Sequence, residues 1–421
     1  MNIQQALSKI FSMHQFDIKL GLDRINKLLE LIGNPHIGLK YFHIAGSNGK
    51  GSTASFIASI LMEAGYKVGL YTSPHLVRFN ERIRINKKEI DDEYIAFFIN
   101  SIDNIIEQHK PTFFEITTAL AFKYFQENKP DYVVLETGLG GRLDATNVVE
   151  PLASVITSIS LEHTNILGET IKQIAFEKAG IIKANKPVFI GSIPEDAEEV
   201  IRFRAAELNS KLISFGSYTK LKDDSVQVEL GNKTINIYKT GLIGSHQFHN
   251  SGLAVKVVGE VVGIDDVSII NKGLMNVVTN SGIQGRYEVY NSKPRVILDA
   301  AHNPEGVESF IKEFSKEYQK YRERILLFGA MKDKDIISML NMLKPYFTKI
   351  YAVQPNYERA ATVEELKGIG KKINLSLEHL SNYDNINFTD WAEDNCVVVL
   401  GSIYLLGEIK SKLLKKNLTN R

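Results

Sequence analysis

The sequence of 421 residues has one cysteine, no long apolar run and almost no net charge. The single cysteine, Cys396, cannot form an internal disulfide, and the apolar run that follows it predicts a buried strand in a protein of a reducing compartment. Nowhere do about 18 apolar residues follow one another, and residues 1–11 lack the basic head and apolar segment of a signal peptide. We therefore expect a soluble, cytoplasmic protein with no membrane partner.

The charge balance argues against a further class of partner. Lysine and arginine number 50, aspartate and glutamate number 49, and the formal net charge is +1. Because no excess of positive charge exists, no global field favours nucleic acid. Anionic substrates must be held by local groups instead.

The chain is too long for one hydrophobic core, and usual domain sizes predict about two or three units.

A glycine-rich turn lies between a short predicted strand, 41–45, and a predicted helix, 54–64. Its sequence is Gly46-Ser47-Asn48-Gly49-Lys50-Gly51-Ser52-Thr53. Such a turn points backbone N–H groups inward, the helix N-terminus adds partial positive charge, and Lys50 adds a full one. Ser52 or Thr53 can reach Mg²⁺. The usual P-loop spacing needs a glycine where this chain has Ile44, so the turn is a shortened variant. The alternative is a turn that merely starts a helix. It leaves Lys50 without a role, and we predict an ATP site.

Polar side chains follow three other predicted strands. Ser73 follows the strand 66–72, Glu136 closes the strand 131–137, and His163 follows the strand 153–159. Ligands bind at the carboxyl ends of strands in open α/β sheets, and Mg²⁺ prefers oxygen ligands. Each residue alone has a structural alternative: Glu136 as a solvated strand end, and His163 as a satisfied structural histidine. Together the three predict convergence on one ion.

Strands and helices alternate along most of the chain, which predicts an α/β fold. The helices nearest the motifs are predicted at 22–32, after a loop at 16–21, and at 91–109, 113–128 and 170–182. The segment 225–238, with Gly231-Asn232 at its centre, predicts a β-hairpin. The stretch 279–294 separates two α/β patterns. We place the boundary within it, giving domains 1–285 and 286–421, the second a smaller doubly wound unit.

Four further polar residues are less easily assigned. Lys178 lies on a predicted helix with an apolar stripe, and composition alone favours a solvated or snorkelling lysine. Asp299 and His302 follow the first strand of the second domain, and Arg286 lies in the linker, where it would face a cleft. An ATP site on one domain and polar strand ends on the other predict a reaction completed by domain closure.

Taken together, these motifs resemble those of the folylpolyglutamate synthase/dihydrofolate synthase family, a branch of the Mur-type ATP-dependent amide ligases. The resemblance is carried by 43–53, 73–82, 135–147, 162–163, 177–181, His246, Gln247, Asn250, 285–286 and 298–304. It runs from about Gly21 to Glu408, with the motifs in the expected order. It implies an N-terminal P-loop-containing Mur-ligase-type ATPase domain and a smaller C-terminal Rossmann-like α/β domain.

The resemblance implies a role for each matching residue. ATP would be bound by Ser47, Asn48, Gly49, Lys50, Gly51, Ser52, Asn250, Arg286 and Asp299. A pterin substrate would be held by Thr112, Phe113, Phe114, Glu115, Leu143, Asp144 and Ala145. Mg²⁺ would be held by Ser73, Glu136 and His163, and Lys178, as a carbamate, would bind a second Mg²⁺. This role replaces the solvated one, because an ammonium cannot bind a cation. The catalytic residues would be Lys50, Lys178 and His302, the last a candidate base.

The implied reaction joins L-glutamate to the carboxylate of dihydropteroate or a folate through an acyl phosphate. ATP and two Mg²⁺ would be required, K⁺ is a further candidate, and the partners would be these small molecules. No heptad repeat or exposed apolar stripe calls for a protein partner, so we expect a monomer. The segment 142–147 resembles bacterial members with dihydrofolate synthase activity, which favours a bifunctional enzyme. Ser47 and Ser251 depart from the usual threonine and alanine, both small-for-small changes.

Two alternatives remain from the sequence. Another Mur-type ligase, acting on a cell-wall precursor, would share the ATP residues but should lack the pterin stretches around Glu115 and Asp144. A P-loop ATPase without ligase activity would hydrolyse ATP with no acceptor acid.

Overall fold

The computed structural model describes residues 1–13, 21–215, 220–221, 225–381, 383 and 386–419. Most of the loop predicted at 16–21 lies outside the described residues. The chain forms two compact units. The first comprises Met1–His75, Phe79–Gly241 and Gln247–Ile283, and the second comprises Leu76–Arg78, Leu242–His246 and Gln284–Arg421. No helix among the described residues has the length and apolarity needed to cross a membrane.

The first unit contains the elements up to residue 283, except for the first two residues of the helix that begins at Ser245. Its helices are α1 Ile3–Ser12, α2 Asp23–Leu31, α3 Lys50–Glu63, α4 Asp92–Ser101, α5 Asp103–His109, α6 Phe113–Asn128, α7 Thr164–Leu167, α8 Ile171–Ala179, α9 Glu195–Glu207, α10 Ser245–Val262, α11 Val267–Met275 and α12 Val277–Ser281. Its strands are β1 Tyr41–Ala45, β2 Val68–Tyr71, β3 Ile83–Ile85, β4 Lys88–Glu89, β5 Tyr132–Glu136, β6 Ala153–Ile156, β7 Val188–Ile190, β8 Leu212–Ser214, β9 Lys220–Leu221, β10 Ser225–Leu230 and β11 Lys233–Ile237.

An eight-stranded sheet forms the centre of this unit, in the order β4-β3-β2-β5-β1-β6-β7-β8. From β2 to β8 neighbouring strands are parallel, whereas β3 and β4 pair antiparallel at one edge. Every residue of β1 is buried, as expected for a parallel strand covered on both faces. Since β2, β5, β1 and β6 are neighbours, their carboxyl ends lie side by side. This edge carries most of the predicted site.

The predicted hairpin is confirmed: β10 and β11 pair antiparallel, and Leu230 lies opposite Lys233 across the two-residue turn. With β9 they form a separate three-stranded sheet.

The second unit is a smaller α/β sandwich. Its strands are β12 Glu288–Ser292, β13 Arg295–Leu298, β14 Arg324–Phe328, β15 Lys349–Ala352, β16 Glu378–His379 and β17 Cys396–Leu400, and its helices are α13 Pro304–Phe314, α14 Ile336–Leu343, α15 Val363–Lys372 and α16 Ile403–Thr419. The sheet order is β12-β13-β17-β14-β15-β16, parallel except for β12. Cys396 is buried in β17, as predicted.

Three elements differ from the sequence prediction. The helix predicted at 91–109 is two helices, because Ile102 leaves helical geometry and ends α4 where α5 begins. The helix after the glycine-rich turn starts at Lys50 and not at Ala54, so the second half of the predicted turn, residues 50–53, is already helical. The predicted linker 279–294 contains β12, an edge strand with half-exposed side chains.

Candidate active site

The glycine-rich turn occupies residues 46–49, between the end of β1 and the start of α3. Gly46 and Gly49 have φ of +153° and +84°, a region that favours glycine. A Cβ on Gly49 would lie 2.6 Å from Oδ1 of Asn250, so the predicted ATP residue on α10 lies against the turn. The first N–H groups of α3 have no partner within the helix, which suits an anion such as a phosphate.

Hydroxyl groups after β6 hold the turn in place. Ser47 N donates to Ser158 O at 2.9 Å, and Asn48 N donates to Ser158 Oγ at 2.8 Å. Thr157 Oγ1 donates to Asn48 O at 2.6 Å, and Ser160 N donates to Ser47 Oγ at 3.0 Å. Sequence reasoning missed Thr157, Ser158 and Ser160. The available signal was three hydroxyl residues among the four positions directly after a buried strand.

The side chain of Lys50 folds back and contacts the backbone of the turn that precedes it. Its Nζ donates to Gly46 O at 2.7 Å and to Ser47 O at 3.1 Å. Backbone carbonyls carry no full negative charge, so these two bonds do not neutralise the positive charge of Lys50. The turn therefore combines a full charge with oriented N–H groups, the features that bind a polyphosphate.

Two of the predicted metal residues are in direct contact. Ser73 N donates to Oε2 of Glu136 at 3.0 Å, because β2 and β5 are neighbours in the sheet. Glu136 is buried, so the solvated alternative for this glutamate is wrong. His163 is half-buried, with φ of +46°. Among the described residues, no group of three or more His, Cys, Asp or Glu side chains is arranged around a common ion position.

Lys178 is not solvated, and the prediction made from composition alone is wrong. Its side chain is 1% exposed, and Nζ lies 2.7 Å from Oε1 of Glu162. Burial lowers the pKa of Lys178 to about 8, although Glu162 opposes that change and Lys50 adds to it. Burial also disfavours the charge of Glu162, but Lys178 and Lys50 outweigh it and lower the Glu162 pKa to about 2. Sequence reasoning gave Glu162 no role, because no local pattern in the sequence predicts a contact between residues 16 positions apart.

The two predicted substrate stretches meet in the structure. Thr112 caps α6 and forms a capping box with Glu115, whose Oε2 accepts from Thr112 N at 2.7 Å. Glu115 is buried and pairs with Nε of Arg24 at 3.2 Å, a partner that sequence reasoning missed. A Cβ on Gly138 would lie 2.5 Å from the ring of Phe114, which packs directly on the glycine-rich loop. This loop, residues 138–147, is called the acceptor loop below.

Asp144 anchors the acceptor loop from within. Its Oδ2 accepts from the backbone N of Gly138 at 2.9 Å and of Leu139 at 2.8 Å. Its Oδ1 accepts from N and Oγ1 of Thr146 at 3.0 and 2.5 Å. Burial raises the pKa of Asp144 even though these four donors act in the opposite direction. Leu143 is half-buried and Ala145 is buried at the sides of this carboxylate.

Aromatic side chains surround the other substrate stretch. Phe113 stacks on Phe11 of α1 with ring centres 5.4 Å apart, and Phe79 meets it edge-on at 6.2 Å. The guanidinium of Arg82 lies 5.2 Å from the Phe113 ring centre, and Arg82 Nε donates to Nδ1 of His75 at 2.8 Å. Sequence reasoning assigned none of Phe11, Phe79 and Arg82. Phe11 is 37% exposed, and such an apolar ring face suits a flat aromatic ligand.

In the second unit, the remaining predicted residues lie on two connected loops. Asp299 accepts from Tyr287 N at 2.7 Å and from Ala301 N at 2.8 Å, and burial raises its pKa. Arg286, beside Tyr287, opposes that rise. Nδ1 of His302 lies 2.8 Å from Ala300 O. A carbonyl only accepts, so Nδ1 carries a proton, and in the neutral ring Nε2 is the acceptor nitrogen.

Two models of protein families match this chain, one over each of its two main parts. Residues 44–258 match the model of the Mur ligase middle domain, and residues 285–403 match that of the Mur ligase glutamate ligase domain. The chain is 36% identical to the dihydrofolate synthase/folylpolyglutamate synthase of Bacillus subtilis over 427 aligned residues, which cover 97% of this chain and 99% of that protein.

Two solved structures show the likeness in three dimensions. The complex of E. coli FolC with DHPP and ADP has a TM-score of 0.87 and 30% identity, and covers 99% of both chains. The bifunctional folylpolyglutamate synthase/dihydrofolate synthase of Yersinia pestis, complexed with AMPPNP and a Mn ion, has a TM-score of 0.85 and 28% identity, and covers 98% of both chains.

Proposed function

The chain belongs to the dihydrofolate synthase/folylpolyglutamate synthase family, and we propose that it joins L-glutamate to the carboxylates of dihydropteroate and of folates at the expense of ATP. The observation that carries the proposal is the position of Lys178. The Nζ of this buried lysine lies 2.7 Å from Glu162, two residues beyond Ser160, which bonds Ser47 of the phosphate turn, and its backbone O would lie 3.0 Å from a Cβ on Gly141 of the acceptor loop. A phosphate-binding turn and a substrate loop therefore share one electrostatic neighbourhood, as transfer of phosphate to a bound acid requires.

The first step activates the acceptor acid. A carboxylate oxygen of the acceptor attacks the γ-phosphorus of ATP, the bond to the β–γ bridging oxygen breaks, and ADP and an acyl phosphate form. We assign Ser47 to Ser52 and Asn250 to the phosphates and nucleotide, and Lys50 to neutralise charge that develops on the transferred group. Phe113, Phe114, Leu143 and Ala145 would form the apolar walls for the ring of the acceptor. Thr112, Glu115 and Asp144 fix the backbone beneath it.

The second step forms the amide bond. The neutral amine of glutamate attacks the acyl carbon, the carbon–oxygen bond to phosphate breaks, and phosphate leaves with both electrons of that bond. We assign the proton of the amine to Nε2 of His302, which accepts because Nδ1 is bonded to Ala300 O. Arg286 and Asp299 are assigned to ATP. Residues 1–285 would then serve ATP and the acceptor, and residues 286–421 would serve glutamate apart from these two ATP residues.

The residues fit a divalent cation. Ser73 and Glu136 are joined at the carboxyl ends of neighbouring strands, and Glu136 is a buried carboxylate, a strong ligand for Mg²⁺. We assign them one ion with His163, and a second ion to Lys178 as a carbamate. When bound, Mg²⁺ neutralises phosphate charge. A need for K⁺ is tested by replacing K⁺ with Na⁺ in the assay.

Carbamylation of Lys178 supplies the oxygen ligand that an amine lacks. The Nζ lone pair forms a bond to the carbon of CO₂, and one proton is released. The side chain of Lys178 is only 1% exposed, and this burial shields such an adduct from water. Incubation with ¹³C-bicarbonate should give one carbamate carbon resonance that is absent from Lys178→Arg. An identical spectrum for both proteins would refute the modification.

The reaction is tested by measuring phosphate release from ATP and Mg²⁺ with glutamate, in parallel with dihydropteroate, with tetrahydrofolate and with no acceptor. Release with both acceptors supports the bifunctional enzyme, and release with one alone limits the substrate to that acid. Equal release without an acceptor would contradict the proposal and indicate an ATPase.

We also propose that the protein is a cytoplasmic monomer. The free buried thiol of Cys396 supports the location, and size-exclusion chromatography tests the monomer.

A further inference from the structure

His43 is a buried polar side chain for which the reaction above has no use. It lies in the middle of β1, with Leu135 of β5 and Ser154 of β6 as its register neighbours, and it is fully buried. A histidine in an all-buried parallel strand is costly unless it is hydrogen-bonded. Its Nε2 lies 2.8 Å from Oγ1 of Thr146 in the acceptor loop.

The proton positions in this contact follow from its neighbours. Oγ1 of Thr146 lies 2.5 Å from Oδ1 of Asp144, a carboxylate that already accepts three backbone N–H groups. The single hydroxyl proton of Thr146 is therefore donated to Asp144, and the hydroxyl must accept from His43. Nε2 of His43 carries a proton, and Nδ1 has no hydrogen-bond partner among the described residues. Burial lowers the pKa of His43 to about 3 and keeps the ring neutral.

We propose that His43 is a positioning residue for the acceptor substrate, acting through Thr146 on Asp144. The chain of hydrogen bonds runs from the strand that leads into the phosphate turn to the carboxylate that draws in the backbone of Gly138 and Leu139. Gly138 is the residue on which Phe114 packs. His43 therefore sets the shape of the acceptor loop without touching substrate. The kinetic test of this inference rests on the proposed function, whereas a second readout, hydrogen exchange, does not depend on that function.

The test compares four variants: His43→Leu, Thr146→Val, Thr146→Ser and Ser154→Ala. The first two break the hydrogen-bond chain, Thr146→Ser keeps the hydroxyl, and Ser154→Ala is a matched control. Ser154 is the register neighbour of His43, and it loses a buried bond of 2.7 Å to Ile181 O that is unconnected to Asp144. Loss of a buried hydrogen bond should raise the KM for the acceptor about tenfold in His43→Leu and Thr146→Val, with the KM for ATP unchanged.

Three further results are expected. Thr146→Ser should restore the acceptor KM, Ser154→Ala should lower stability only, and the double variant His43→Leu/Thr146→Val should be no worse than either single one. An unchanged acceptor KM in Thr146→Val, or an equal rise in the KM for ATP, would overturn the proposal. If His43→Leu does not fold, the near-isosteric Thr146→Val and its Thr146→Ser partner decide the question.

Hydrogen exchange separates this inference from the proposed function. The backbone amides of Gly138 and Leu139 should exchange faster in Thr146→Val than in wild-type protein and in Ser154→Ala. That result stands even if the wild-type chain shows no acceptor-dependent activity, in which case the proposed function fails and the loop anchor does not. Unchanged exchange at both amides would refute the anchor itself.

Discussion

Adding a methyl group at Gly49 should weaken ATP binding far more than the same change at the other end of the same helix. Gly49 precedes α3, with φ of +84°, and Gly65 follows it, with φ of +89°. An alanine at either position adopts a left-handed conformation at a cost of about 1–2 kcal/mol. For a unit of this size, each kcal/mol lowers the Tm by about 2–4 °C. The two variants should therefore lose similar stability.

The surroundings of the new methyl group differ. At Gly65 nothing lies within 4 Å of the added carbon, whereas at Gly49 Oδ1 of Asn250 lies 2.6 Å away. Ordinary contact requires about 3.4 Å or more, so the Asn250 amide must retreat by roughly 0.8 Å. This amide is held by its bond to Oε1 of Gln247 at 3.1 Å. A displaced nucleotide ligand should raise the KM for ATP about tenfold, equivalent to about 1.4 kcal/mol.

The assay is the KM for ATP of Gly49→Ala and Gly65→Ala, measured beside thermal unfolding. We expect similar falls in Tm for both, with the KM for ATP raised only in Gly49→Ala. The reasoning would be refuted if both variants bound ATP like wild type, or if Gly65→Ala raised the KM as much.

Three more outcomes are expected. Lys50→Ala should lose about 100-fold or more in kcat with an unchanged circular dichroism spectrum, because charge on the transferred phosphate is no longer neutralised; normal turnover would contradict this. With CO₂ excluded, so that Lys178 is unmodified, Glu162→Gln leaves the buried Lys178 cation without its partner and should lower the free energy of unfolding by about 3 kcal/mol at pH 7, measured in urea. The folded-state pKa of Glu162 is about 2 against an ordinary 4.5, so wild type should lose this stability as pH falls from 4.5 towards 2, and the variant should not. Removal of divalent ions with EDTA should abolish ligase activity, and Mg²⁺ or Mn²⁺ should restore it; full activity in EDTA would contradict the metal assignment.

Much of the fold followed from local patterns in the sequence. The buried strands β1, β5, β6 and β17 are short apolar runs with turn residues beyond them, and such runs depend on nothing distant in the chain. The strand β12 was missed because its residues are half-exposed and lack an apolar alternation. The break at Ile102 was missed because buried isoleucines continue at helical spacing through it, from Ile99 to Ile106.

The site was predicted less completely than the fold, for a physical reason. Backbone features such as the turn at Gly49 are encoded locally, whereas the pairing of Lys178 with Glu162, or of Arg24 with Glu115, depends on tertiary packing. Composition therefore placed Lys178 in solvent, although its partner comes from a separate loop. The hydroxyls that hold the phosphate turn were likewise missed, since only the sheet order brings the end of β6 beside β1.

Transfer of oxygen from the acceptor acid to phosphate tests the central claim most directly. The acceptor is labelled with ¹⁸O in its carboxylate and incubated with ATP, Mg²⁺ and glutamate, and the released phosphate is analysed by mass spectrometry. An acyl-phosphate ligase places one ¹⁸O atom from the carboxylate in each phosphate formed. The account would be contradicted if the released phosphate carried no ¹⁸O.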